Sequence, residues 1–115
     1  MSLFKEDTII RTARYDYGGG DRLDITVKGD DDTGKILAPT WEMVRGVKNG
    51  TMSHNEYTKR YTDILFNVPD GYVTELLKRS SITLVCFCKP YTFCHRYLAA
   101  IFLDIKGGVY MGEVQ

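Results

Sequence analysis

The sequence has little of what marks a membrane or exported protein. No run of apolar residues approaches the ~20 that are needed to cross a bilayer. The first seven residues, MSLFKED, lack the apolar core of a secretory signal. There are only three cysteines, all between Cys86 and Cys94, which is too narrow a window to staple distant parts of the chain. We therefore expect a cytoplasmic protein with reduced thiols and no membrane partner.

An excess of charge of either sign is also absent. The 15 basic and 15 acidic residues give a net charge of zero. This balance argues against nucleic acid as a partner, because such binding needs a positive field over a whole face. The chain has 115 residues, 43% of them hydrophobic and 26% charged, which is typical of an ordinary globular protein. That length leaves no room for two independent cores, so residues 1–115 are interpreted as a single domain.

Hydrophobic patterning predicts strands that alternate with helices. Residues 8–15 are rich in β-branched side chains and predict a first strand, and alternation over residues 23–27 predicts a second. The apolar run 82–87 is typical of a strand buried on both faces of a parallel sheet. A short edge strand is predicted near residues 109–111. The four predicted helices cover residues 39–48, residues 53 to about 65, residues 70–79 and residues 94–105.

Local signals add detail to these segments. Ser53 and Glu56 have the form of a capping box, which predicts the start of the second helix. Trp41, at the start of the first helix, is predicted to belong to the core. The charged residues between Gly29 and Gly34 predict an exposed turn.

This order of elements predicts the fold class. Helices between the first strand and the apolar strand imply crossover connections, which favour a small α/β sandwich with a mainly parallel central sheet flanked by helices. Ligands of such sheets bind beyond the carboxyl ends of the central strands. We therefore expect the loops that follow Tyr15 and Phe87 to meet at the binding site.

The segment Cys86–Arg96, CFCKPYTFCHR, concentrates the reactive side chains. Because a helix is predicted to begin at Cys94, its free N–H groups and the charges of Lys89 and Arg96 would favour an anion. The same environment lowers the pKa of a cysteine at a helix start. We therefore predict a catalytic group in which Cys94 is the nucleophile or redox thiol, His95 its acid–base partner and Arg96 the anion clamp.

A glycine-rich loop, Gly18–Gly20, follows the first strand. Its arginine neighbours could hold an anion while Tyr15 stacks on a base. Otherwise the glycines form a hairpin connection between two paired strands. The hairpin is slightly favoured, because three consecutive glycines match no phosphate-binding fingerprint. The predicted ligand is a small anion or a nucleotide-like molecule. Its predicted binding residues surround the two loops: Arg14, Tyr15, Arg22, Cys88 and Lys89.

A metal site is an alternative interpretation of the same segment. Cys86, Cys88, Cys94 and His95 offer four ligands of the kind that zinc or an iron–sulfur centre takes. Neighbouring residues such as Cys94 and His95 rarely point at one ion, however, and the segment has no Cys-x2-Cys pair. We therefore predict neither a metal nor another cofactor.

A structural role is the third interpretation. Cysteine is among the most buried residue types, so Cys86 on an apolar strand is interpreted as a small core residue. His95 could satisfy a loop carbonyl, and Arg96 could pair with an acid. For the triplet that begins at Cys94 the reactive interpretation is favoured, because these residue types are poor choices for capping a helix.

The cysteine spacing also resembles that of a known family. Cys86 at the end of a strand, an eight-residue step to Cys94, and a Cys-His-Arg triplet that leads into an apolar helix resemble the domain of unknown function 488 family. Several further stretches resemble a short, phage-type branch of it: residues 14–15, 21–26 and 39–42, with Tyr57 and Tyr61. The resemblance implies an α/β fold and a candidate site but no mechanism.

Whether the chain is an enzyme stays open at this point. A protein of this size and neutral charge, with a resemblance to phage-type sequences, could instead bind or inhibit a host protein without catalysis. The reactivity of the Cys94 thiol would distinguish the two functions, because a thiol of low pKa is alkylated quickly at pH 6 and an inert one is not.

Overall fold

Within residues 7–89 and 92–114, which the computed structural model describes, a four-stranded, all-parallel sheet forms the centre of the protein. The order of the strands across the sheet is β2-β3-β1-β4. This confirms the predicted α/β class and the parallel sheet. The strands are β1 (Ile9–Arg14), β2 (Arg22–Asp24), β3 (Ser81–Cys86) and β4 (Val109–Glu113).

In the part of the chain that the structure describes, five helices accompany the sheet. They are α1 (Asp32–Lys35), α2 (Trp41–Asn49), α3 (His54–Phe66), α4 (Asp70–Leu76) and α5 (His95–Ile105). The predicted cap of α3 is confirmed, since the Ser53 hydroxyl accepts the Glu56 N–H at 3.1 Å. The charged turn expected before residue 34 instead contains α1, whose first turn is capped by the carboxylate of Asp31. Within the described residues, none of the helices has the length and hydrophobicity to cross a membrane.

Strand β3 lies at the centre of the hydrophobic core. Every one of its residues except the first is buried, as the continuous apolar run predicted. Helix α5 packs against β1, β3 and β4. Its Ala99 and Ala100 are fully buried, and because alanines add little bulk the helix can approach the sheet closely. This packing places the start of α5 beside the carboxyl end of β3.

The predicted hairpin between the first two strands is wrong. Strands β1 and β2 do not pair with each other, because β3 lies between them and is parallel to both. The backbone carbonyl of Asp21 accepts the Thr83 N–H at 2.8 Å, and its carboxylate accepts the Thr83 hydroxyl at 2.9 Å. Strand β2 ends at Asp24, earlier than predicted, because the Asp24 carboxylate accepts the N–H and the hydroxyl of Thr26.

A bulge in β4 determines the direction of its last side chain. Ile10 of β1 pairs with Tyr110, but Thr12, two residues later, pairs with Glu113, so β4 carries one extra residue here. Gly112 adopts φ +102°, a backbone conformation that side chains other than glycine rarely take. The extra residue reverses the alternation of the strand, so that Tyr110 and Glu113 point to the same face. Glu113 thereby turns toward α5.

Candidate functional site: a three-cysteine cluster beneath an apolar cavity

Three thiols converge where β3 ends and α5 begins. Cys86 is the last residue of β3, Cys88 lies in the bend that follows, and Cys94 is the N-cap of α5. Their sulfur atoms all lie within 4.8 Å of one another. Cys86 and Cys94 are buried, whereas Cys88 is half-buried. Of the three cysteines, Cys88 is therefore the residue most accessible to solvent.

Arg96 joins the cluster from the first turn of α5. Its Nη1 donates to the sulfur of Cys86 and to the backbone carbonyl of Cys88, both at 2.9 Å, and lies 3.7 Å from the sulfur of Cys94. A guanidinium in these positions favours a negative charge on the sulfur cluster. The side chain has no exposure to solvent, so it is not placed to clamp an anion from solution directly.

Glu113 is the counter-ion of Arg96. Two parallel hydrogen bonds join them, from Nη2 to Oε2 at 2.8 Å and from Nε to Oε1 at 3.2 Å, and both side chains are almost completely buried. Burial opposes the charge on Arg96, but hydrogen bonds to Glu113 and Cys86 outweigh it and raise the pKa of the guanidinium. An acid was predicted as one partner of Arg96, but the sequence did not indicate which one. Gly112, which precedes Glu113, was the one hint in the sequence, but a glycine alone does not reveal a bulge.

Electrostatics favour Cys88 as the thiol of the cluster that ionises first. Hydrogen bonds from the Cys86 and Cys94 thiols, helped by the charge of Arg96 and opposed by burial, lower the pKa of Cys88 to about 3. The pKa of Cys94 is raised, because its thiol is hydrogen-bonded to the Cys86 and Cys88 sulfurs and because it is buried. Geometry and electrostatics therefore favour Cys88 over Cys94 as the nucleophile.

His95 is buried and neutral. Its Nε2 lies 2.8 Å from the carbonyl oxygen of Ile25, and because a carbonyl can only accept, Nε2 carries the proton. Nδ1 therefore has a free lone pair, which lies 3.8 Å from the sulfur of Cys94. Burial lowers the pKa of the imidazole. His95 can consequently accept a proton from Cys94, and it also satisfies a loop carbonyl, as the structural interpretation expected.

A cavity of about 180 Å³ opens above the thiols. Its walls are mostly apolar, and a cavity of roughly 150 Å³ is already large enough for one benzene ring. Helix α2 forms one wall, where Trp41 is 43% exposed instead of belonging to the core as predicted. The lining consists of four segments and one tyrosine: Thr26–Lys28, residues 39–47 (Pro39, Trp41, Val44 and Val47), Tyr57, Cys86–Cys88 and Phe93–His95.

The two loops expected to meet do so through an aromatic stack. The rings of Tyr15 and Phe87 lie 4.0 Å apart and nearly parallel, and Phe87 lines the cavity. The guanidinium of Arg22 lies 4.3 Å from the centre of the Tyr15 ring. It also donates hydrogen bonds to the backbone carbonyls of Tyr15 and Tyr17. Tyr15 also donates its hydroxyl to Asp24. Tyr15 therefore contacts Phe87, which lines the cavity, but does not line the cavity itself.

The other residues predicted on this side lie farther out. Arg14 and Lys89 are exposed, and neither they nor Tyr15 and Arg22 are among the lining residues. Cys88, Cys94 and His95 do line the cavity, whereas Arg96 lies behind the cysteines. The structure therefore brings together the Cys86–Arg96 segment and leaves the first loop at its edge.

The sulfur atoms are close enough together for a single thiophilic metal ion. Arg96 opposes that use, because its Nη1 is 2.9 Å from Cys86 and a cation bound there would lie beside a buried positive charge. The geometry favours a thiolate paired with a guanidinium over a thiolate bound to a metal. Elemental analysis of the purified protein tests the metal alternative.

The model of one protein family, the active DUF488-N3 subclade (DUF488-N3a), matches residues 3–107. The chain belongs to the DUF488 family. The match includes all three cysteines and the triplet that ends at Arg96, but it stops before Glu113. The phage-type branch stays a prediction. We found no similar protein among the curated proteins and no similar chain among the solved structures.

Proposed function

We propose that this DUF488 protein binds a small, flat, nucleotide-like ligand in the cavity and reacts with it through the thiolate of Cys88. One observation carries the proposal: Cys88, the half-buried residue of the three-sulfur cluster, lines an apolar cavity large enough for an aromatic ring, and its surroundings lower the pKa of its thiol. A thiolate is the nucleophilic form of cysteine, and apolar walls orient a flat ligand above it. The proposal includes a reducing compartment such as the cytoplasm, which keeps the thiols free.

An anionic substituent on the ligand would be recognised at the mouth of the cavity. Lys28 is an exposed lining residue, and its ammonium lies 5.7 Å from the centre of the Phe87 ring. Phe87 stacks in turn on Tyr15. A ligand with a flat body and a negative end therefore finds aromatic walls inside and a positive charge at the entrance.

A pair of maleimides tests the apolar part of the site. The rate of each reagent with Cys88 is divided by its rate with glutathione, which corrects for intrinsic reactivity. On this scale N-phenylmaleimide should label Cys88 at least roughly tenfold faster than N-methylmaleimide, because the cavity buries the phenyl ring. Val44→Trp fills the cavity and should abolish that preference. Ile101→Trp places the same side chain on the exposed face of α5 and should retain it.

Peptide mapping by mass spectrometry identifies the labelled cysteine. Labelling of Cys94 in preference to Cys88, or the same relative rate for both maleimides, would contradict the proposal. Lys28→Gln tests the entrance: it should slow N-(4-carboxyphenyl)maleimide relative to N-phenylmaleimide. If all three thiols are inert, the alternative of an interaction protein that binds a host protein without catalysis is favoured.

A further inference from the structure

The buried thiol of Cys94 faces Cys88, and the proposed function gives it no role. Its sulfur belongs to the same cluster, within 4.8 Å of the other two, and is 3.8 Å from the Nδ1 atom of His95. A protonated thiol beside a thiolate is the arrangement from which a disulfide forms once the thiolate has been oxidised.

We propose that Cys88 and Cys94 form a thiol pair that reduces organic hydroperoxides, with Cys88 attacking the peroxide and Cys94 resolving the product. This inference rests on the thiolate of Cys88 in the proposed function. It extends that function by naming a class of substrate, a hydroperoxide with an apolar or aromatic group, and a second reacting residue.

The first step forms a sulfur–oxygen bond. The Cys88 thiolate attacks the terminal oxygen of the hydroperoxide, the O–O bond breaks, and the alkoxide leaves with its electron pair and takes a proton from water. Cys88 is then a sulfenic acid. Thiolates react in this way and neutral thiols do not, so the guanidinium of Arg96, which favours negative charge in the cluster, assists the step.

The second step forms the disulfide. Cys94 sulfur attacks the sulfenic sulfur of Cys88, its proton passes to Nδ1 of His95 and then to the departing hydroxide, and water leaves. The net reaction converts two thiols and one hydroperoxide into a disulfide, an alcohol and water. An external dithiol must then reduce the disulfide to complete a cycle.

Cys94 is better placed than Cys86 to resolve the sulfenic acid. Arg96 Nη1 holds the Cys86 sulfur at 2.9 Å but lies 3.7 Å from that of Cys94. Cys86 and Cys88 are two positions apart, and a disulfide between them would close a small ring at the end of a buried strand. Cys94 approaches from a different element, the start of α5.

Cumene hydroperoxide, an aromatic hydroperoxide, is the probe of choice. One equivalent added to the reduced protein should lower the intact mass by about 2 Da, the loss of two hydrogens on disulfide formation. After free thiols are blocked, peptide mapping should show Cys88 joined to Cys94. In Cys94→Ser, and in Cys94→Ala as a second variant, dimedone should instead trap the sulfenic acid of Cys88. Cys86→Ser removes the other thiol that could resolve the sulfenic acid, so the Cys88–Cys94 disulfide should still form, although more slowly because Cys86 hydrogen-bonds to Cys88.

The preference for an apolar peroxide is a separate readout. Wild-type protein should consume cumene hydroperoxide faster than hydrogen peroxide, and Val44→Trp should reverse that order because it fills the cavity. A disulfide between Cys86 and Cys88, an intermolecular disulfide, or an unmodified Cys88 would overturn the proposal. If N-phenylmaleimide still labels Cys88 selectively, only the peroxide chemistry fails; if it does not, the proposed function fails too.

Discussion

At the scale of single residues, Arg96 carries a positive charge in a position without solvent exposure. Glu113 accepts two of its hydrogen bonds and the cysteine cluster accepts others. Buried charges persist in proteins only when they are paired and hydrogen-bonded in this way. Arg96 therefore lies behind the cysteines, where its side chain joins the end of β4 to the end of β3 and holds the sulfur atoms together.

Arg96→Met tests this structural role. The variant leaves the Glu113 carboxylate buried without its counter-ion, so we expect the free energy of unfolding in urea to fall by about 3–5 kcal/mol. The double variant Arg96→Met/Glu113→Leu removes both charges and should recover most of that loss. A single variant that loses less than about 1 kcal/mol, the value typical of an exposed ion pair, would contradict a buried pair.

His95→Gln tests the buried neutral imidazole. A folded-state pKa below the ordinary value of about 6.5 means that the unfolded chain binds the proton more readily. The contribution of His95 to stability is therefore complete above pH 6.5 and is lost as the pH falls through its lowered pKa. Between pH 7.5 and 5.5 the unfolding free energy of wild type should fall more than that of His95→Gln.

His54→Gln is the matched control for this experiment. His54 is exposed and stacks on Phe93, so this variant shows what the loss of a histidine outside the core does in the same measurement. An equal pH dependence in wild type and His95→Gln would show that His95 is not buried in the neutral form.

At the scale of elements, two helical glycines differ in what surrounds them. A Cβ atom added at Gly34 in α1 would lie 1.9 Å from the carbonyl oxygen of Asp24, whereas at Gly71 in α4 it would meet nothing within 4 Å. Gly34 therefore permits α1 to contact the end of β2, close to the segment that lines the cavity. Gly71 has no such role in the packing.

Alanine at the two positions should have opposite effects. Gly34→Ala forces α1 away from backbone atoms that cannot yield, so we expect a loss of roughly 1–3 kcal/mol in unfolding free energy. Gly71→Ala only restricts the unfolded chain and favours the helix, which should add up to about 1 kcal/mol. Chemical denaturation of both variants provides the measurement. Equal effects at the two positions would contradict the close contact of α1 with Asp24.

The elements that could be predicted from the sequence are those with strong local signals. The run of apolar residues in β3 and the cap of α3 gave their positions to within about one residue. Helix α1 was missed because four residues give no periodicity, and its cap by Asp31 looks like any acidic turn. The hairpin was wrongly preferred because loop composition does not reveal which strand lies between β1 and β2.

At the scale of the whole molecule, the site is produced by contacts between distant parts of the chain. The cysteine segment and the meeting of the Tyr15 and Phe87 loops could be predicted, since residue chemistry and parallel topology imply both. The role of Glu113 could not, because it depends on a bulge in a short edge strand. Trp41 of α2 was predicted to belong to the core, since the apolar pattern of a helix does not distinguish a core from a cavity.

The position of the charge within the cluster also emerges only from the folded molecule. The sequence favoured Cys94 because it begins a helix. The fold buries that sulfur and leaves Cys88 half-buried as the acceptor of its neighbours' hydrogen bonds. The three thiols and the guanidinium thus interact with one another, and together they favour a negative charge on Cys88, which lines the cavity.

The most direct test of this account is the pH profile of iodoacetamide alkylation, followed for each cysteine by peptide mass spectrometry between pH 5.5 and 8.5. With a pKa of about 3, Cys88 is already a thiolate throughout this range, so its rate should change less than about threefold. The same cysteine in urea-unfolded protein, with an ordinary pKa of about 8.5, should slow several hundredfold at the acid end. If folded Cys88 follows the unfolded profile, or if Cys94 reacts first, the thiolate does not reside on Cys88.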